Sequence, residues 1–261
     1  MNNDINMKQR IFILKLDREQ ILKEESQLMG LLPLSRQEKA EKLKNNGAKA
    51  QSIAAGLLLM VGTMLYLDSE EQGFKLQELT HAAIMHLANK YADAYESKTN
   101  SNDEEIFYTN LTHSGDYVAL AVGDTPVGID IEHKNDKDFK VTKRMFTETE
   151  QSYILNGADI ESSQQRFRDI WTINEAFLKC LGIGISVPLN TFEPKFDVDM
   201  DERVQNCVAE LVCTGSIQLK DNPPEKLVAS IAQTTRKKRM EEYHFSTYRI
   251  DGGDYSLTFV S

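Results

Sequence analysis

Val127-Gly128-Ile129-Asp130-Ile131-Glu132 is the stretch that most constrains the fold of this 261-residue chain. Aliphatic residues alternate here with Gly128, Asp130 and Glu132, and a period of two predicts a β-strand. Such a strand buries its aliphatic row and turns both carboxylates to one face. Adjacent carboxylates repel each other unless a cation or hydrogen-bond donors compensate them, and Mg²⁺ is the usual cation. An edge strand with solvated acidic positions is an equally good interpretation of this stretch alone.

A helical stretch downstream supplies a third carboxylate. Trp171, Glu175 and Lys179 recur at every fourth position, so they form one stripe of a helix predicted at 162–181. Neighbouring apolar residues give this helix a face that can dock on a sheet. Glu175 offers another anionic metal ligand, and Lys179 offers a cation for phosphate oxygens. A surface ion pair between Glu175 and Lys179 is the alternative interpretation.

A third element, Asn110-Leu111-Thr112-His113-Ser114-Gly115, precedes a strand predicted at 117–122. We interpret it as a loop in which His113 and Ser114 contact a phosphate through their side chains, beside a close approach of the glycine backbone. An ordinary turn is the alternative. The connection Gly123-Asp124-Thr125 predicts a β-hairpin between this strand and the acidic strand at 126–132.

The rest of the chain predicts helices and antiparallel strands in both halves. A Ser35/Glu38 capping box predicts where one helix begins, and Gly182 predicts where another ends. We expect helices at 17–31, 35–45, 48–67, 80–95, 140–146, 148–155 and 162–181, and a loop at 98–105. Further strands are expected at 11–16, 204–213, 216–220, 227–232, 243–250 and 255–260. The predicted fold class is therefore α+β, in two α/β units of similar size.

Composition narrows the possible partners and the compartment. Asp and Glu number 40 against 30 Lys and Arg, a net charge of −10 that argues against a nucleic-acid-binding protein. The three cysteines form no Cys-x-x-Cys pair, which predicts reduced thiols and a cytoplasmic protein. The longest apolar run, 53–67, is shorter than the ~20 residues of a membrane span, so we expect a buried helix and no membrane partner.

The three motif elements, in this order and spacing, resemble the surfactin-synthetase-activating (Sfp-like) class of 4′-phosphopantetheinyl transferases. The family pattern is a loop close to Asn-Leu-Ser-His-Ser-Gly, a strand Gly-Ile/Val-Asp-Ile-Glu and a helix Trp-x-x-Lys-Glu-Ala-x-x-Lys. Here the matching segments are 110–115, 128–132 and 171–179, and Gly182-Ile183-Gly184 followed by Pro188-Leu189 extends the match. The resemblance is dense over about 108–192.

The resemblance implies the 4′-phosphopantetheinyl transferase fold. In it, two similar α/β subdomains, here 1–123 and 124–261, each carry an antiparallel sheet and helices and are related by a pseudo-twofold axis. The active site would lie between them, in a monomer. The implied reaction moves the 4′-phosphopantetheine arm of coenzyme A to a serine of an apo acyl or peptidyl carrier protein. It depends on Mg²⁺ and releases adenosine 3′,5′-bisphosphate.

The resemblance also implies residue roles. Asp130, Glu132 and Glu175, in the C-terminal subdomain, would hold Mg²⁺ against the coenzyme A pyrophosphate. Glu175 would help to deprotonate the serine, and Lys179 would pair with the phosphates. Nucleotide-binding roles would fall to Lys39, Lys42, Lys49, Lys90, His113 and Ser114. From the spacing of basic residues after the acidic strand, we also expect a face that docks the acidic carrier protein: Lys137, Lys140, Lys143 and Arg144, with exposed Met145 or Phe146. A solvated helix face is an equally good interpretation.

Three departures from the family pattern motivate an alternative. Asn174 stands where the family has Lys, Gln51 stands where an Arg is common, and the nearest remnant of a Gly-Lys-Pro element is Asn89-Lys90-Tyr91. Each loss would weaken coenzyme A binding. The alternative function is therefore a catalytically weakened member that acts as a carrier-protein or coenzyme A binding adaptor. A third hypothesis, a metal-dependent phosphohydrolase using the same carboxylates, would need a dedicated water site.

Overall fold

A computed structural model describes residues 7–100, 107–134, 142–197, 209–238 and 242–261. The chain divides into two compact units, Met1–Asp124 and Thr125–Ser261. Each unit contains one β-sheet with helices packed on it, so the mixed α/β architecture is confirmed. The pseudo-twofold relation between the units stays a prediction.

The first unit is built on a four-stranded sheet with the strand order β2–β1–β4–β3. The strands are β1 Lys8–Lys15, β2 Gly73–Leu79, β3 Tyr108–Ser114 and β4 Tyr117–Gly123. β1 pairs antiparallel with β4 but parallel with β2, so the prediction of a purely antiparallel sheet is wrong here. Parallel pairing follows because a long helical crossover returns the chain to the starting end of β1.

The crossover and the following connection contain five helices: α1 Arg18–Lys23, α2 Glu25–Gly30, α3 Leu34–Glu41, α4 Asn46–Asp68 and α5 His81–Asn100. By length and composition α4 could cross a membrane, but 72% of its apolar window is buried inside the structure. α4 packs on β1, β3 and β4 and forms the centre of the first hydrophobic core, which confirms the predicted buried helix. Its N-terminus is capped by Asn45, whose side chain accepts the N–H of Ala48 at 2.9 Å.

Several local predictions in this unit are wrong. The Ser35/Glu38 capping box is absent among the described contacts, because Pro33 holds the N-cap position and Ser35 lies inside α3. The helix predicted at 17–31 breaks at Glu24 into α1 and α2. The motif at 110–114 is strand β3 rather than a loop, and it turns into β4 at Gly115, whose φ is 51°. α5 extends to Asn100 into the predicted loop, and 101–106 lie outside the described residues.

The second unit is built on a five-stranded sheet with the order β5–β9–β8–β7–β6, and its described pairings are all antiparallel. The strands are β5 Gly128–His133, β6 Phe192–Phe196, β7 Ala209–Leu219, β8 His244–Ile250 and β9 Tyr255–Val260. The predicted hairpin between 117–122 and 126–132 is wrong, because β4 and β5 belong to different sheets. The short connection at 124–127 instead carries the chain from one unit into the next.

The described residues of this unit include four α-helices: α6 Thr142–Met145, α7 Glu148–Leu155, α8 Ile160–Cys180 and α9 Glu225–Lys238. Gly182, two residues after the end of α8, has a φ of 71°, and the N–H of Ile183 donates to the carbonyl of Leu178 at 3.1 Å, which confirms the predicted cap. The strand predicted at 227–232 is wrong, because this segment lies in α9. A short apolar run does not by itself distinguish a strand from a helix.

Candidate functional site

β5 approaches the backbone of α8 so closely that glycine is required at position 128. A Cβ on Gly128 would lie 1.9 Å from the carbonyl oxygen of Ala176 and 2.6 Å from the amide nitrogen of Cys180. Side chains two residues apart on a strand share a face, so Asp130 and Glu132 project from β5 on the same side as the missing Cβ. The acidic face of β5 is therefore the face that meets α8.

Asp130 is 5% exposed and contacts α8 directly. Its Oδ1 accepts a hydrogen bond from Nζ of Lys179 at 2.6 Å, and the Lys179 side chain is 26% exposed. Charge-assisted hydrogen bonds of this length are strong where water is partly excluded. The structure thus brings together two predicted site residues that are 49 positions apart in sequence.

Glu132 and Glu175 flank this ion pair, and both are half-buried. The Thr172 hydroxyl on α8 lies 2.8 Å from that of Thr258, which is paired across the sheet with Asp130. Glu175 follows Thr172 by one turn and precedes Lys179 by one turn. Within the described ranges, however, no group of three Asp, Glu, His or Cys side chains could hold a metal ion. The carboxylates suit Mg²⁺ as donors, but they are not gathered around one point.

A polar layer fixes α8 on the sheet. The Asp169 carboxylate, 1% exposed, accepts two N–H groups of Arg249 at 2.6 Å each and the Ser256 hydroxyl at 2.9 Å. Ser256 is paired across the sheet with Glu132. Asp169 and Arg249 were not singled out from the sequence, because 80 residues separate them and neither lies in a local motif. Their contacts set the rotation of α8, and therefore the direction in which Glu175 and Lys179 point.

Asn174 faces the opposite side of α8 from Thr172 and is completely buried. Its Nδ2 donates to Oε1 of Glu150 on α7 at 2.9 Å. Burial raises the pKa of Glu150 to about 7, and the hydrogen bonds from Asn174 and Thr147 only partly offset that effect. Position 174 therefore belongs to the α7 side of α8, away from the contact between Asp130 and Lys179.

In the first unit, Arg18 and Gln51 hold the turn that follows His113 and Ser114. Nη2 of Arg18 donates to the carbonyl of Gly115 at 2.5 Å and lies 3.1 Å from Oδ1 of Asp116. Nε2 of Gln51 donates to the same carbonyl at 3.3 Å. His113 is exposed and Ser114 half-exposed at the end of β3. Sequence reasoning missed Arg18, which sits in a helix start that carries no motif.

A cleft of about 500 Å³ opens beside this turn, where the parallel strands β1 and β2 end and α1 and α5 begin. The carboxyl ends of parallel strands are common ligand sites in α/β proteins. Nε2 of His81, at the start of α5, lies 3.2 Å from Oε2 of Glu24. The cleft is lined by Lys15, Leu16, Asp17, Arg18, Glu19, Glu78, Leu79, Thr80, His81 and Asp116.

One of the lysines predicted to bind the nucleotide, Lys90, lies far from Lys49. Lys39 and Lys42 are exposed at the end of α3, and Lys49 pairs with Glu25 at 3.1 Å in the first turn of α4. Lys90 contacts the hydroxyl of Tyr91 at 3.0 Å, and that hydroxyl donates to Asp68 at the far end of α4. At 1.5 Å per residue, about 28 Å of helix separate Lys49 from Asp68. Lys90 therefore lies far from Lys49. The segment 89–91, which resembles part of the family's Gly-Lys-Pro element, belongs to α5, and Lys90 lies near the C-terminal end of α4.

The predicted docking face is described only in part. Lys137 and Lys140 lie outside the described residues, whereas Lys143 and Arg144 on α6 are exposed. Of the two residues, Met145 or Phe146, that the sequence offers as the exposed apolar member, Phe146 is ruled out: it is 2% exposed and packs edge-on against Phe167 of α8, with ring centroids 5.6 Å apart. Met145 beside it is half-buried.

Comparison with known proteins supports the motif assignment. Residues 126–258, just over half of the chain, match the model of the 4′-phosphopantetheinyl transferase superfamily. The chain is 40% identical to 4′-phosphopantetheinyl transferase psf-1 of Bacillus pumilus over 93 residues, and 36% identical to 4′-phosphopantetheinyl transferase gsp of Aneurinibacillus migulanus over 83 residues. Those two matches cover 36% and 32% of this chain but only 40% and 35% of the relatives.

A longer match links the chain to 4′-phosphopantetheinyl transferase Sfp of Bacillus subtilis, at 24% identity over 192 residues. It covers 73% of this chain and 78% of the relative. The family-model match includes β5 and α8, the two elements that carry Asp130, Glu132, Glu175 and Lys179. The chain belongs to the 4′-phosphopantetheinyl transferase superfamily.

Proposed function

We propose that this protein transfers the 4′-phosphopantetheine arm of coenzyme A to a serine of an apo acyl or peptidyl carrier protein. Family membership supports this reaction class. The observation that carries the proposal is the contact between the two family motifs, in which Asp130 of β5 meets Lys179 of α8 at 2.6 Å. That contact places an acidic face and an ammonium group together at a partly buried site, as a phosphate-transfer enzyme requires.

Asp130, Glu132 and Glu175 offer the oxygen donors that Mg²⁺ prefers, and they would have to draw together to hold it. Mg²⁺ when bound would neutralise charge on the coenzyme A pyrophosphate. The remaining work falls to residues of this chain. Lys179 would exchange its contact with Asp130 for a phosphate oxygen and balance the charge that develops during transfer. Glu175 would accept the proton of the carrier serine. The serine oxygen then bonds to phosphorus, the bond to adenosine 3′,5′-bisphosphate breaks, and the pantetheine arm stays on the carrier.

We assign the nucleotide end of coenzyme A to the cleft at the ends of β1 and β2. Arg18 supports this assignment because it lines the cleft and also holds the turn that follows His113 and Ser114. Lys15 and His81 add donors from the neighbouring elements. Lys39, Lys42 and Lys49 stay predicted contributors.

Arg18→Met should weaken coenzyme A binding by about tenfold or more, since a phosphate would lose a charge-assisted donor. Isothermal titration calorimetry with coenzyme A measures this loss. Lys90→Met is the matched control and should leave the affinity unchanged, because Lys90 packs near the far end of α4. The nucleotide site is misassigned if Lys90→Met weakens binding and Arg18→Met does not.

The reaction itself is tested by incubating the protein with coenzyme A, Mg²⁺ and several apo carrier proteins. Intact mass spectrometry should show one phosphopantetheine arm added to a carrier serine, and chromatography should show adenosine 3′,5′-bisphosphate in equal amount. Coenzyme A binding with no carrier modified would overturn the transferase proposal in favour of the adaptor. Release of phosphate without carrier modification would favour the hydrolase.

We also propose that the protein acts in the cytoplasm as a monomer. The cytoplasmic assignment is supported by the reduced state of Cys180 and Cys213 among the described residues, as expected in a reducing compartment.

A further inference from the structure

Glu150 is a carboxyl group buried at the start of α7, with 1% of its surface exposed. Its Oε2 accepts the N–H of Thr147 at 2.8 Å, and the Thr147 hydroxyl accepts the N–H of Glu150 at 3.2 Å, which completes a capping box. Its Oε1 accepts Nδ2 of Asn174 on α8 at 2.9 Å. Both donors are neutral, so neither balances a negative charge on the buried carboxylate.

The side-chain amide of Asn174 has one acceptor atom that makes no hydrogen bond to the described residues. Oδ1 of Asn174 is buried and has no hydrogen-bond partner within the described ranges. A carboxylate can accept hydrogen bonds but cannot donate one, so an ionised Glu150 cannot bond to Oδ1 of Asn174. A protonated Glu150 has an O–H to donate to it. The side chains would then form an acid–amide pair with two hydrogen bonds, one in each direction.

Burial of the Glu150 carboxyl group, more than the charges around it, favours the protonated form. β6 contributes Glu193, which pairs with Lys220 at 2.9 Å, and the exposed Lys195. α6 contributes Lys143 and Arg144, which are exposed. α8 contributes Arg166, whose Nη1 donates to the carbonyl of Tyr153, and α7 itself carries the exposed Glu148. Desolvation is the main cause of the raised Glu150 pKa, about 7, and the charge of Glu193 adds to it.

We propose that Glu150 and Asn174 form a proton-operated clasp between α7 and α8. With the proton in place, the acid–amide pair ties the two helices together. Without it, the buried carboxylate has no proton to donate to Oδ1 of Asn174, only the hydrogen bond from Nδ2 remains between the two side chains, and the contact between the helices loosens. Gln151 extends the coupling to α6, since its Nε2 donates to the carbonyl of Phe146 at 2.8 Å.

The clasp links two functional parts of the unit. On the α7 side, Glu150 follows the segment with Lys143 and Arg144, the described part of the predicted carrier-docking face. On the α8 side, Asn174 is the residue directly before Glu175. The affinity for the carrier protein would therefore change with pH. This consequence rests on the proposed function, whereas the clasp itself does not depend on it.

The sign of the pH effect follows from the raised pKa. The folded protein holds the proton up to about pH 7, whereas an unfolded Glu releases it near pH 4.5. The stability contributed by the proton is therefore fully present below about pH 4.5 and is lost as the pH rises to about 7. Glu150→Gln imitates the protonated form at every pH, because its amide can both accept from and donate to Asn174.

Thermal unfolding of the full chain from pH 4.5 to 8.5 tests the clasp. Glu150→Gln and the wild type should melt together near pH 4.5, and their difference should grow to about 5 °C in favour of the variant by pH 7.5 and then stay level. Glu148→Gln, an exposed neighbour on α7, is the matched control and should show no such growth. Asn174→Lys should also reduce the pH dependence, by placing a cation beside Glu150. A difference that is constant with pH, or a less stable Glu150→Gln at pH 8, would overturn the clasp.

A second measurement separates the clasp from the proposed reaction. The KM for an apo carrier protein should rise between pH 6 and 8 more in the wild type than in Glu150→Gln. No transfer at any pH, together with the expected melting difference, would reject the function and retain the clasp. Active enzyme with identical melting profiles for both proteins would reject the clasp alone.

Discussion

Gly128→Ala is expected to lower the free energy of unfolding of the second unit by more than about 3 kcal/mol. The added methyl group would lie 1.9 Å from the carbonyl oxygen of Ala176 and 2.6 Å from the amide nitrogen of Cys180. Both atoms belong to the backbone, so a side-chain rotation cannot relieve the clash. Either β5 or α8 must move, and the contact between Asp130 and Lys179 would be lost with that movement.

Guanidinium denaturation followed by circular dichroism measures the effect. Gly30→Ala is the control, because position 30 ends α2 and a Cβ there meets nothing within 4 Å. That variant should be neutral or slightly stabilised, since alanine favours a helix over glycine. A Gly128→Ala protein within about 1 kcal/mol of the wild type would contradict the close packing that defines the site.

Asp130→Asn is expected to slow phosphopantetheine transfer by at least about 100-fold, the scale on which removing one electrostatic group from an active site acts. Asparagine has nearly the same shape, so the buried strand should keep its place. The variant loses the charge that holds Lys179 at 2.6 Å and that would bind Mg²⁺. Initial rates of holo-carrier formation, measured by liquid chromatography, give the loss.

The exposed Asp221 provides the matched substitution, and Asp221→Asn should leave the rate unchanged. A thermal melt of Asp130→Asn should lie close to the wild type, which would exclude unfolding as the cause. A full transfer rate in Asp130→Asn would remove Asp130 from the active site without affecting the family assignment.

The position of Asn174 changes the interpretation of the family departures. The replacement of Lys by Asn at this position is expected from the sequence to weaken coenzyme A binding. Its side chain instead bonds to Glu150 on α7, and Asp130 keeps Lys179 as its cation. Gln51 likewise retains a role, as a donor to Gly115 in the His113 turn. Both observations weaken the reasons for preferring an adaptor.

The central elements of the second unit were predictable from local pattern alone. β5 alternates strictly between aliphatic and other residues, and α8 combines a long apolar stripe with a glycine at its end. Both signals are strong because each arises within a single element. The secondary-structure predictions failed where the pairing between strands decides the structure. β2 gains its strand conformation by joining β1, and a four-residue connection separates two sheets although it resembles a hairpin.

The sequence by itself determined the family, the acidic strand, the Glu175–Lys179 helix and the absence of a net positive charge. The strand and the helix depend on residue identity and spacing over fewer than ten positions, the family on the order of such short motifs, and the charge on composition alone. Only the tertiary structure decided which side chains meet: Lys179 with Asp130, Asn174 with Glu150, and Arg249 with Asp169. It also separated Lys90 from Lys49 along the length of α4. The physical reason is that a side chain's direction follows the rotation of its helix, which distant packing sets, here through the close approach of Gly128 and the buried polar layer beneath α8.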